Sequence, residues 1–409
     1  MGVLKIIDKK RLGQELDKAE MREFFMGYND GNVEDYQMSA MLMAITINGM
    51  SFQETLTLTD LMLSSGKKMD TRSVKGVLVD KHSTGGVGDK TSLILGPMMA
   101  ALGLKMGKLS GRGLGITGGT IDKLESIPGF KFHLSSEEFI KYLNTVGFVE
   151  CEQTDEFTPL DKKMYALRSV TGTVSSIPLI ASSIMSKKLA CGADYILIDL
   201  KVGRGALIKT KKDGVLLANT MIDIGKAYNK TVIPILTNMD RPLGDNVGNA
   251  LEVLEAMDVL KGKRGTLRDL VIELGSVLYS KCMSLNIDKA TKEVTRVLDD
   301  GSAYKKFNEF VSMQGGDIDK LDLAPNLVAV ESKTEGYLKD IKAEVIGMLS
   351  LELGAGRKKK DERIDYGVGV VINKHIGDYI KEGDILCYLY EREVKDYSKL
   401  ALEAFTIVK

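Results

Sequence analysis

Apolar side chains recur at helical spacing in two separate stretches of the chain, residues 14–64 and residues 160–190. In the first stretch they follow intervals of three and four residues, and an Asn-Asp-Gly sequence at 29–31 interrupts them. A polar segment at 64–68 then ends the pattern. The intervening chain has a different texture, so we predict one helical domain, formed by residues 1–65 and 160–190, that a second domain interrupts.

Between and after these stretches, short apolar runs of the kind found in buried parallel strands alternate with helical spacing. The predicted strands lie at residues 77–79, 104–106, 195–200 and 231–236. The predicted helices of this part lie at residues 93–102 and 247–260. Pro234 argues against the strand that contains it, because proline cannot donate a hydrogen bond to a neighbouring strand. The order strand, loop, helix, strand predicts a parallel sheet.

Beyond Gly315 and Gly316 the chain changes to short strands separated by Gly and Asp turns, which predicts a separate α+β module. The predicted fold class is therefore α/β, with a small all-helical domain, a larger α/β domain around a central, mostly parallel sheet, and a C-terminal α+β module. The predicted boundaries are residues 1–65 and 160–190 for the helical domain, 74–155 and 193–330 for the α/β domain, and 332–409 for the module.

Net charge gives no bulk attraction to a polyanion, because 56 Lys and Arg residues balance 56 Asp and Glu residues. We therefore expect neither nucleic acid nor a membrane as a partner, and an anion site must be built locally. The four cysteines have no CxxC spacing, which argues against a zinc site and fits a reducing compartment. No apolar run reaches about 18 residues and no signal peptide is evident, so we expect a cytoplasmic protein.

The first candidate site is a polar, glycine-rich segment at residues 81–92. Its three glycines let the backbone approach a ligand closely, and N–H groups at a helix N-terminus suit an anion. Lys81 adds a positive charge, and Ser83 and Ser92 add hydroxyl donors. The spacing matches neither a Walker A loop nor a GxGxxG dinucleotide motif. A plain surface loop is the alternative interpretation.

A second candidate segment, residues 108–125, has five glycines between positions 111 and 119, interleaved with Ser, Arg and Thr. It follows directly after a predicted strand. In an open parallel sheet, ligands bind beyond the carboxyl ends of the strands. Two such segments on neighbouring strands would converge on one cleft, which favours an anion site over two unrelated loops.

Residues 110–125 resemble, almost position by position, the signature of the thymidine and pyrimidine-nucleoside phosphorylase family. The similarity continues through residues 160–168, 175–188, 199–203 and 242–244 and extends over nearly the whole chain. It implies a homodimer in which an α/β domain closes on a small helical domain. It also implies reversible phosphorolysis of uridine, thymidine and deoxyuridine to the free base and a pentose 1-phosphate, without an organic cofactor.

The resemblance assigns roles to individual residues. The implied phosphate ligands are Lys81, Ser83, Ser92, Lys108, Ser110 and Thr120. The implied pyrimidine ligands, on the helical domain, are Arg168, Ser183 and Lys187. Ser183 and Lys187 are four residues apart and so share one helix face, and cationic donors suit the carbonyl oxygens of a pyrimidine. Without the resemblance, Arg168 and Lys187 would be interpreted as a solvated helix surface.

In the implied reaction, phosphate attacks C1′ from the face opposite the base, and the base leaves with negative charge. Lys187 and Arg168 would stabilise that charge, and His82 is the candidate proton donor to a pyrimidine carbonyl oxygen. His82 lies within a glycine-rich segment, whereas His133 and His375 lie outside both. The alternative is that His82 only forms hydrogen bonds within its loop.

Several positions depart from the family pattern. Ile116 stands where the family usually has histidine, Arg204 where it has a small residue, and Leu207 where it has phenylalanine near the base. Loss of that aromatic face would loosen base selectivity. Lys108 favours the broader pyrimidine-nucleoside branch over the strict thymidine branch.

Relatives of that branch bind a potassium ion at the positions of Gly88, residue 90, Leu243, Asn246 and Glu255, with threonine at position 90. This chain has Lys90 instead. A lysine ammonium in the place of the ion would pair with Glu255, and we therefore expect weak or absent potassium dependence.

Two other classes remain as alternatives. A phosphoribosyltransferase of the related fold would need an acidic pair to bind a metal ion for its diphosphate, and the sequence offers no convincing pair. A catalytically inactive nucleoside-binding homologue would account for the changes at positions 116, 204 and 207.

Overall fold

A computed structural model of the chain describes residues 2–113, 115–116, 118–152, 156–359 and 362–409. Leu114 and Thr117 of the second glycine-rich segment lie outside the described residues, as does residue 155, where the predicted first α/β segment ends.

The helices and strands are numbered here in chain order. The helices are α1 (Val3–Arg11), α2 (Lys18–Asn29), α3 (Asp35–Asn48), α4 (Phe52–Ser64), α5 (Thr91–Ala101), α6 (Thr120–Glu125), α7 (Ser136–Thr145), α8 (Pro159–Thr171), α9 (Ile177–Ala190), α10 (Lys211–Ala227), α11 (Asn249–Leu260), α12 (Thr266–Met283), α13 (Ile287–Asp299), α14 (Ser302–Met313), α15 (Ala343–Leu353) and α16 (Ser398–Glu403), with a 3₁₀ turn at Ile318–Lys320. The strands are β1 (Leu78–Ser83), β2 (Lys105–Ser110), β3 (Phe148–Glu152), β4 (Tyr195–Val202), β5 (Thr231–Asn238), β6 (Asn246–Val247), β7 (Asn326–Glu331), β8 (Gly336–Ile341), β9 (Gly369–Ile372), β10 (Tyr379–Ile380), β11 (Ile385–Glu391) and β12 (Phe405–Val408).

The chain divides into two compact units. The first comprises Met1–Ser73, Gln153–Ile196 and Thr210–Pro234, and the second comprises Val74–Glu152, Leu197–Lys209 and Ile235–Lys409.

The first unit is a helical bundle whose core is built from the apolar positions of α1 to α4, α8 and α9. Side chains cap two of its helices: Asp17 accepts hydrogen bonds from the N–H groups of Ala19 and Glu20 at the start of α2, and Ser51 accepts from the Glu54 N–H at the start of α4. Helix α10 belongs to this unit because it packs beside α9. Its residues fall within the range 193–330 that was predicted for the α/β domain.

A five-stranded sheet has the order β3-β2-β1-β4-β5, and most of its strand residues belong to the second unit. The pairs β1–β2 and β2–β3 are parallel, which agrees with the predicted parallel sheet, although β3 is not among the predicted strands. Strand β5 exists despite Pro234, and it lies at the edge of the sheet, where a missing N–H donor is tolerated.

Strands β1 and β2 are longer than their apolar runs predict. Lys81, His82 and Ser83 lie on β1, and Lys108 and Ser110 lie on β2, rather than in the loops that follow. Backbone pairing with β3 extends β2 through Ser110, and hydroxyl groups meet the buried side chains of Lys81 and Lys108. The glycine-rich loops therefore begin later than expected.

The C-terminal part of the second unit has two small sheets, of order β10-β8-β12 and β6-β9-β11-β7. The pairings β11–β7, β11–β9 and β12–β8 are antiparallel. Strand β7 hydrogen-bonds along β11, so residues 326–330 belong with these sheets, whereas the sequence analysis placed them in the α/β domain. The predicted fold class, a helical domain, an α/β domain with a parallel sheet and a C-terminal α+β module, is confirmed.

Candidate functional site

The ammonium group of Lys81 is buried among hydroxyl groups at the end of β1. Its side chain is fully buried, and Nζ donates to Thr91 Oγ1 at 2.5 Å and to Ser92 Oγ at 3.4 Å. Both hydroxyls belong to the first turn of α5. The structure thus brings Lys81 and Ser92 together, as the sequence analysis predicted.

Buried carboxylates of the same region balance this charge. Asp199 Oδ2, on β4, lies 3.4 Å from Lys81 Nζ and 2.8 Å from Lys201 Nζ, and Thr237 Oγ1 donates to Asp199 Oδ1 at 2.6 Å. Burial alone would lower the pKa of Lys201, but the charges of Asp89 and Asp199 outweigh it and raise that pKa. The Lys201 ammonium therefore stays charged at neutral pH.

Ser83 and the start of α5 are tied together by Asp89. Ser83 donates its hydroxyl proton to Asp89 Oδ2, while Asp89 Oδ1 accepts from the Thr91 N–H at 3.1 Å and from Thr91 Oγ1 at 2.6 Å. Burial opposes ionisation of Asp89, but Lys81 and Lys201 hold its pKa well below the usual range. The Thr91 N–H, at the N-terminus of α5, therefore donates to Asp89 rather than to a bound anion.

A second cluster lies at the ends of β2 and β3. Lys108 Nζ donates to Ser110 Oγ at 2.9 Å, and Ser110 Oγ donates to Glu150 Oε1 at 2.5 Å. The ammonium of Lys108 lies 3.5 Å from the same carboxylate oxygen. Gln314 fixes the backbone of Glu150 on both sides, because its side chain accepts from the Glu150 N–H and donates to the Glu150 carbonyl. Lys108 and Ser110 are adjacent, as predicted.

The second glycine-rich loop is held by Asp122. Its Oδ2 accepts from the N–H groups of Gly113 at 2.6 Å and Gly119 at 3.2 Å, and Arg357 Nη1 donates to its Oδ1 at 2.7 Å. Thr120, the predicted phosphate ligand, begins α6 directly after this anchored segment. A buried ion pair therefore holds this segment at Gly113 and Gly119.

Other positions of the second unit that the sequence singled out include His82, Ile116, Arg204 and Leu207. His82 is half-buried on β1. Ile116 is also half-buried and packs on the apolar core of the C-terminal module, a role that a histidine would fill less well. Arg204 is exposed, and its Nη2 lies 2.6 Å from Asp340 Oδ2. Leu207 is half-buried.

Lys90 fills the predicted cation position. Its fully buried ammonium donates to the carbonyls of Leu243 at 2.9 Å and Asn246 at 2.7 Å, and to Glu255 Oε2 at 2.5 Å. Gly88 has a φ of 77°, and a Cβ there would meet the Leu243 carbonyl oxygen. These residues do not fit a potassium ion, because the ammonium group already occupies their oxygens.

In the helical unit, Arg168 is buried in α8 and its guanidinium is engaged by backbone. Its Nη2 donates to the Val174 carbonyl at 2.8 Å, its Nη1 to the Leu179 carbonyl at 3.2 Å, and its Nε to the Thr173 carbonyl at 3.4 Å. Burial lowers its pKa. Arg168 is therefore no solvated surface residue, and it holds the turn between α8 and α9.

Lys187 and Ser183 share one face of α9, as their spacing predicted. Lys187 Nζ donates to Ser183 Oγ at 2.8 Å and to Asp161 Oδ2, on α8, at 2.5 Å. Burial lowers the pKa of Lys187, and the charge of Asp161 opposes that shift. The result is a half-enclosed cation able to donate to a carbonyl oxygen.

The sequence analysis gave no role to four carboxylates that the structure places against these lysines. They are Asp89, Glu150, Asp161 and Asp199. Asp199 and Lys201 carry a signal, since charged side chains within a buried strand need partners. The other three carry none, because their partners are distant in sequence or lie on another element.

In the described part of the chain, no group of three or more His, Cys, Asp or Glu side chains is placed to hold a metal ion. None of the helices in this part combines the length and apolarity that crossing a membrane requires.

Three family models match the chain. The glycosyl transferase family α/β domain matches residues 75–304, the helical bundle domain of that family matches residues 4–66, and the pyrimidine nucleoside phosphorylase C-terminal domain matches residues 337–407. In structure, the chain resembles anthranilate phosphoribosyltransferase from Thermus thermophilus with a TM-score of 0.57, covering 76% of this chain and 99% of that one. At 18% identity this similarity shows the fold alone.

Similarity to curated proteins is much greater. The pyrimidine-nucleoside phosphorylase of Geobacillus stearothermophilus is 45% identical over 98% of this chain and 95% of its own. The protein of that name from Bacillus subtilis is 47% identical over 95% of this chain and 92% of its own. With these relatives and the matching family models, the chain belongs to the thymidine and pyrimidine-nucleoside phosphorylase family.

Proposed function

We propose that this protein catalyses the reversible phosphorolysis of pyrimidine nucleosides, with inorganic phosphate as the acceptor of the pentosyl group. One observation carries the proposal: two buried lysines, Lys81 and Lys108, lie on neighbouring parallel strands, each beside serine or threonine hydroxyls. Buried cations with hydroxyl groups suit a phosphate ion. Near full-length similarity to proteins named pyrimidine-nucleoside phosphorylase supplies the nucleoside class.

The phosphate would be bound by the ends of β1 and β2 and by the starts of α5 and α6. The proposed ligands are Lys81, Ser83, Ser92, Lys108, Ser110 and Thr120. The pyrimidine would be bound by Arg168, Ser183 and Lys187. Of these three, Lys187 has the side chain best placed for a carbonyl oxygen, since the guanidinium of Arg168 already donates to three backbone carbonyls.

In the proposed reaction a phosphate oxygen forms a bond to C1′ while the bond from C1′ to the base nitrogen breaks. The electron pair of that bond leaves with the base. Lys187 stabilises the developing negative charge, Arg168 holds the turn beside it, and His82 donates a proton to a pyrimidine carbonyl oxygen. Attack opposite the base inverts C1′ and gives the pentose 1-phosphate.

The identity of the relatives favours phosphorolysis over a phosphoribosyltransferase reaction. The direct test incubates the purified protein with uridine, thymidine or deoxyuridine and phosphate, and follows free base by chromatography. We expect base release that requires phosphate, and His82→Ala should slow it by about 10²–10⁴-fold. Nucleoside binding without base release would identify an inactive homologue, and pyrophosphate-dependent release of base from a nucleoside 5′-monophosphate would identify a phosphoribosyltransferase.

We further propose that the Lys90 ammonium replaces a potassium ion, so that catalysis does not require this ion. The support is its three oxygen partners, from Leu243, Asn246 and Glu255. Rates measured in potassium chloride and in tetramethylammonium chloride at equal ionic strength should agree within about twofold. Lys90→Thr should make the rate depend on potassium. A steep loss of wild-type activity in the organic salt would contradict the proposal.

We also propose a homodimer in the cytoplasm, on the similarity to the family alone. Equilibrium sedimentation of the purified protein would test the dimer.

A further inference from the structure

The cluster of Lys108, Ser110 and Glu150 places a buried carboxylate within a site proposed for an anion. Glu150 is fully buried, and its Oε1 lies 2.5 Å from Ser110 Oγ and 3.5 Å from Lys108 Nζ. Its Oε2 is also buried and accepts no hydrogen bond from any described residue. A carboxylate repels an anion, so its presence beside two proposed phosphate ligands calls for a physical reason.

The hydrogen bonds of Ser110 determine what it can offer a ligand. A hydroxyl group has one proton, and Ser110 gives it to Glu150 Oε1. The Ser110 oxygen in turn accepts from Lys108 Nζ at 2.9 Å. A hydroxyl oxygen can accept a second hydrogen bond, so in this arrangement Ser110 meets a ligand as an acceptor.

The hydroxyl is held in this orientation by Glu150. If Ser110 turned its proton toward a ligand, Glu150 would keep only the ammonium of Lys108 at 3.5 Å, with its other oxygen already unpartnered. Leaving a buried carboxylate so poorly solvated is costly. At the end of β1, Ser83 likewise gives its proton to a carboxylate, that of Asp89, and accepts from the Gly85 N–H at 3.3 Å.

We infer that Glu150, acting through Ser110, makes this site select an oxyanion that carries a proton, so that hydrogen phosphate binds and sulfate is rejected. The two dianions have nearly the same size and shape. Hydrogen phosphate donates its proton to Ser110 Oγ, whereas sulfate has no proton and meets only lone pairs beside a buried negative charge. Glu150 is thus a positioning residue that sets anion specificity. The inference rests on the proposed function, which makes phosphate the ligand.

The test is calorimetric titration of the protein with inorganic phosphate and with sulfate, in mildly alkaline buffer, where phosphate is almost wholly the dianion. We expect wild-type protein to bind phosphate about 10–100-fold more tightly than sulfate, the range of a hydrogen bond to a charged group. In Glu150→Gln the ratio should fall by at least about tenfold. Arsenate, which also carries a proton, should bind like phosphate in both proteins.

Glu137→Gln, at an exposed position of α7, makes the same charge change away from the cluster and should keep the wild-type ratio. Ser110→Ala removes the acceptor itself and should also lower the ratio, which keeps the test decisive if Glu150→Gln does not fold. A wild-type ratio near one, or an unchanged ratio in both cluster variants, would overturn the inference.

Calorimetry separates this inference from the proposed function. Base release is not needed to measure either anion. A protein that selects phosphate over sulfate through Glu150 yet releases no base would contradict phosphorolysis alone, whereas base release with no anion selectivity would contradict the role of Glu150 alone.

Discussion

At the scale of single residues, the candidate regions are built from buried lysines that each meet a carboxylate. The pairs are Lys81 with Asp199, Lys201 with Asp199, Lys90 with Glu255, Lys108 with Glu150, and Lys187 with Asp161. A buried ammonium without a partner would lose its proton or destabilise the fold, so pairing keeps the charge in place. Each partner therefore controls the chemistry of its lysine.

Asp161→Asn should move the alkaline limit of activity to lower pH. Burial lowers the pKa of Lys187 and the ionised Asp161 opposes that shift, so removal of the carboxylate lets the pKa fall further. The ammonium then loses its proton at a lower pH, and with it the stabilisation of the leaving base. We expect kcat/KM for uridine to fall by about 10–100-fold at alkaline pH, with a smaller loss near neutrality.

The matched control is Asp223→Asn, which removes the carboxylate of an exposed pair with Lys226 in the same unit. It should leave the pH profile unchanged. An alkaline limit in Asp161→Asn at the wild-type pH would show that Lys187 does not titrate in this profile.

The sequence indicated four of these five lysines, Lys201 excepted, but among their carboxylate partners only Glu255. Lys187 and Asp161 are 26 residues apart, and Lys90 and Glu255 are 165 apart. The spacing of residues along the sequence predicts side-chain pairs only within one or two turns of the same helix. The pair of Lys90 and Glu255 was predicted only through the resemblance to the family. That resemblance assigned no role to Glu150 or Asp89.

At the scale of helices and strands, apolar runs predicted where the strands of the parallel sheet begin better than where they end. The run at 77–79 stops before Lys81, yet β1 continues to Ser83. A strand ends where its backbone hydrogen bonds end, and those depend on neighbours that the local pattern does not contain. The consequence is functional, because the strand backbone, rather than a loop, fixes Lys81 and Lys108.

Close contact between α5 and β3 gives an element-scale prediction. A Cβ added to Gly96 of α5 would overlap the ring of Phe148 on β3. In a free helix, alanine in place of glycine is favourable by about 1 kcal/mol. Here overpacking should prevail, and Gly96→Ala should lower the free energy of unfolding by about 1–3 kcal/mol in urea.

Gly275→Ala on α12 is the matched control. Its added Cβ would meet only side-chain atoms of Leu95, Val294 and Met99 at 3.2–3.3 Å, which can move by a few tenths of an ångström. We expect a change within about 1 kcal/mol. Equal stability of the two variants would show that Phe148 moves aside without cost.

At the scale of the second unit, the C-terminal module packs against both glycine-rich segments rather than standing apart from them. Val87 of the first glycine-rich loop is buried in the apolar core of the module, and Ile116 of the second loop packs against it. The Gly115 N–H donates to the Arg357 carbonyl at 2.9 Å. The sequence predicted the module from its turns, but its contact with both loops depends on packing between segments more than 200 residues apart.

Arg357→Met should therefore weaken phosphate binding, although Arg357 is no proposed ligand. Its guanidinium donates to Asp122 Oδ1 at 2.7 Å, and the other oxygen of Asp122 holds the N–H groups of Gly113 and Gly119 in front of Thr120. Without this buried partner the carboxylate loses its alignment, and the loop loses its fixed conformation. We expect KM for phosphate to rise roughly tenfold or more, with a much smaller change in KM for uridine.

Two control variants accompany this prediction. Arg357→Lys, which keeps the charge, should recover part of the loss in phosphate binding. Arg363→Met, at an exposed position of the same module, should resemble wild type. An unchanged KM for phosphate in Arg357→Met would mean that phosphate binding does not depend on the ion pair between Arg357 and Asp122.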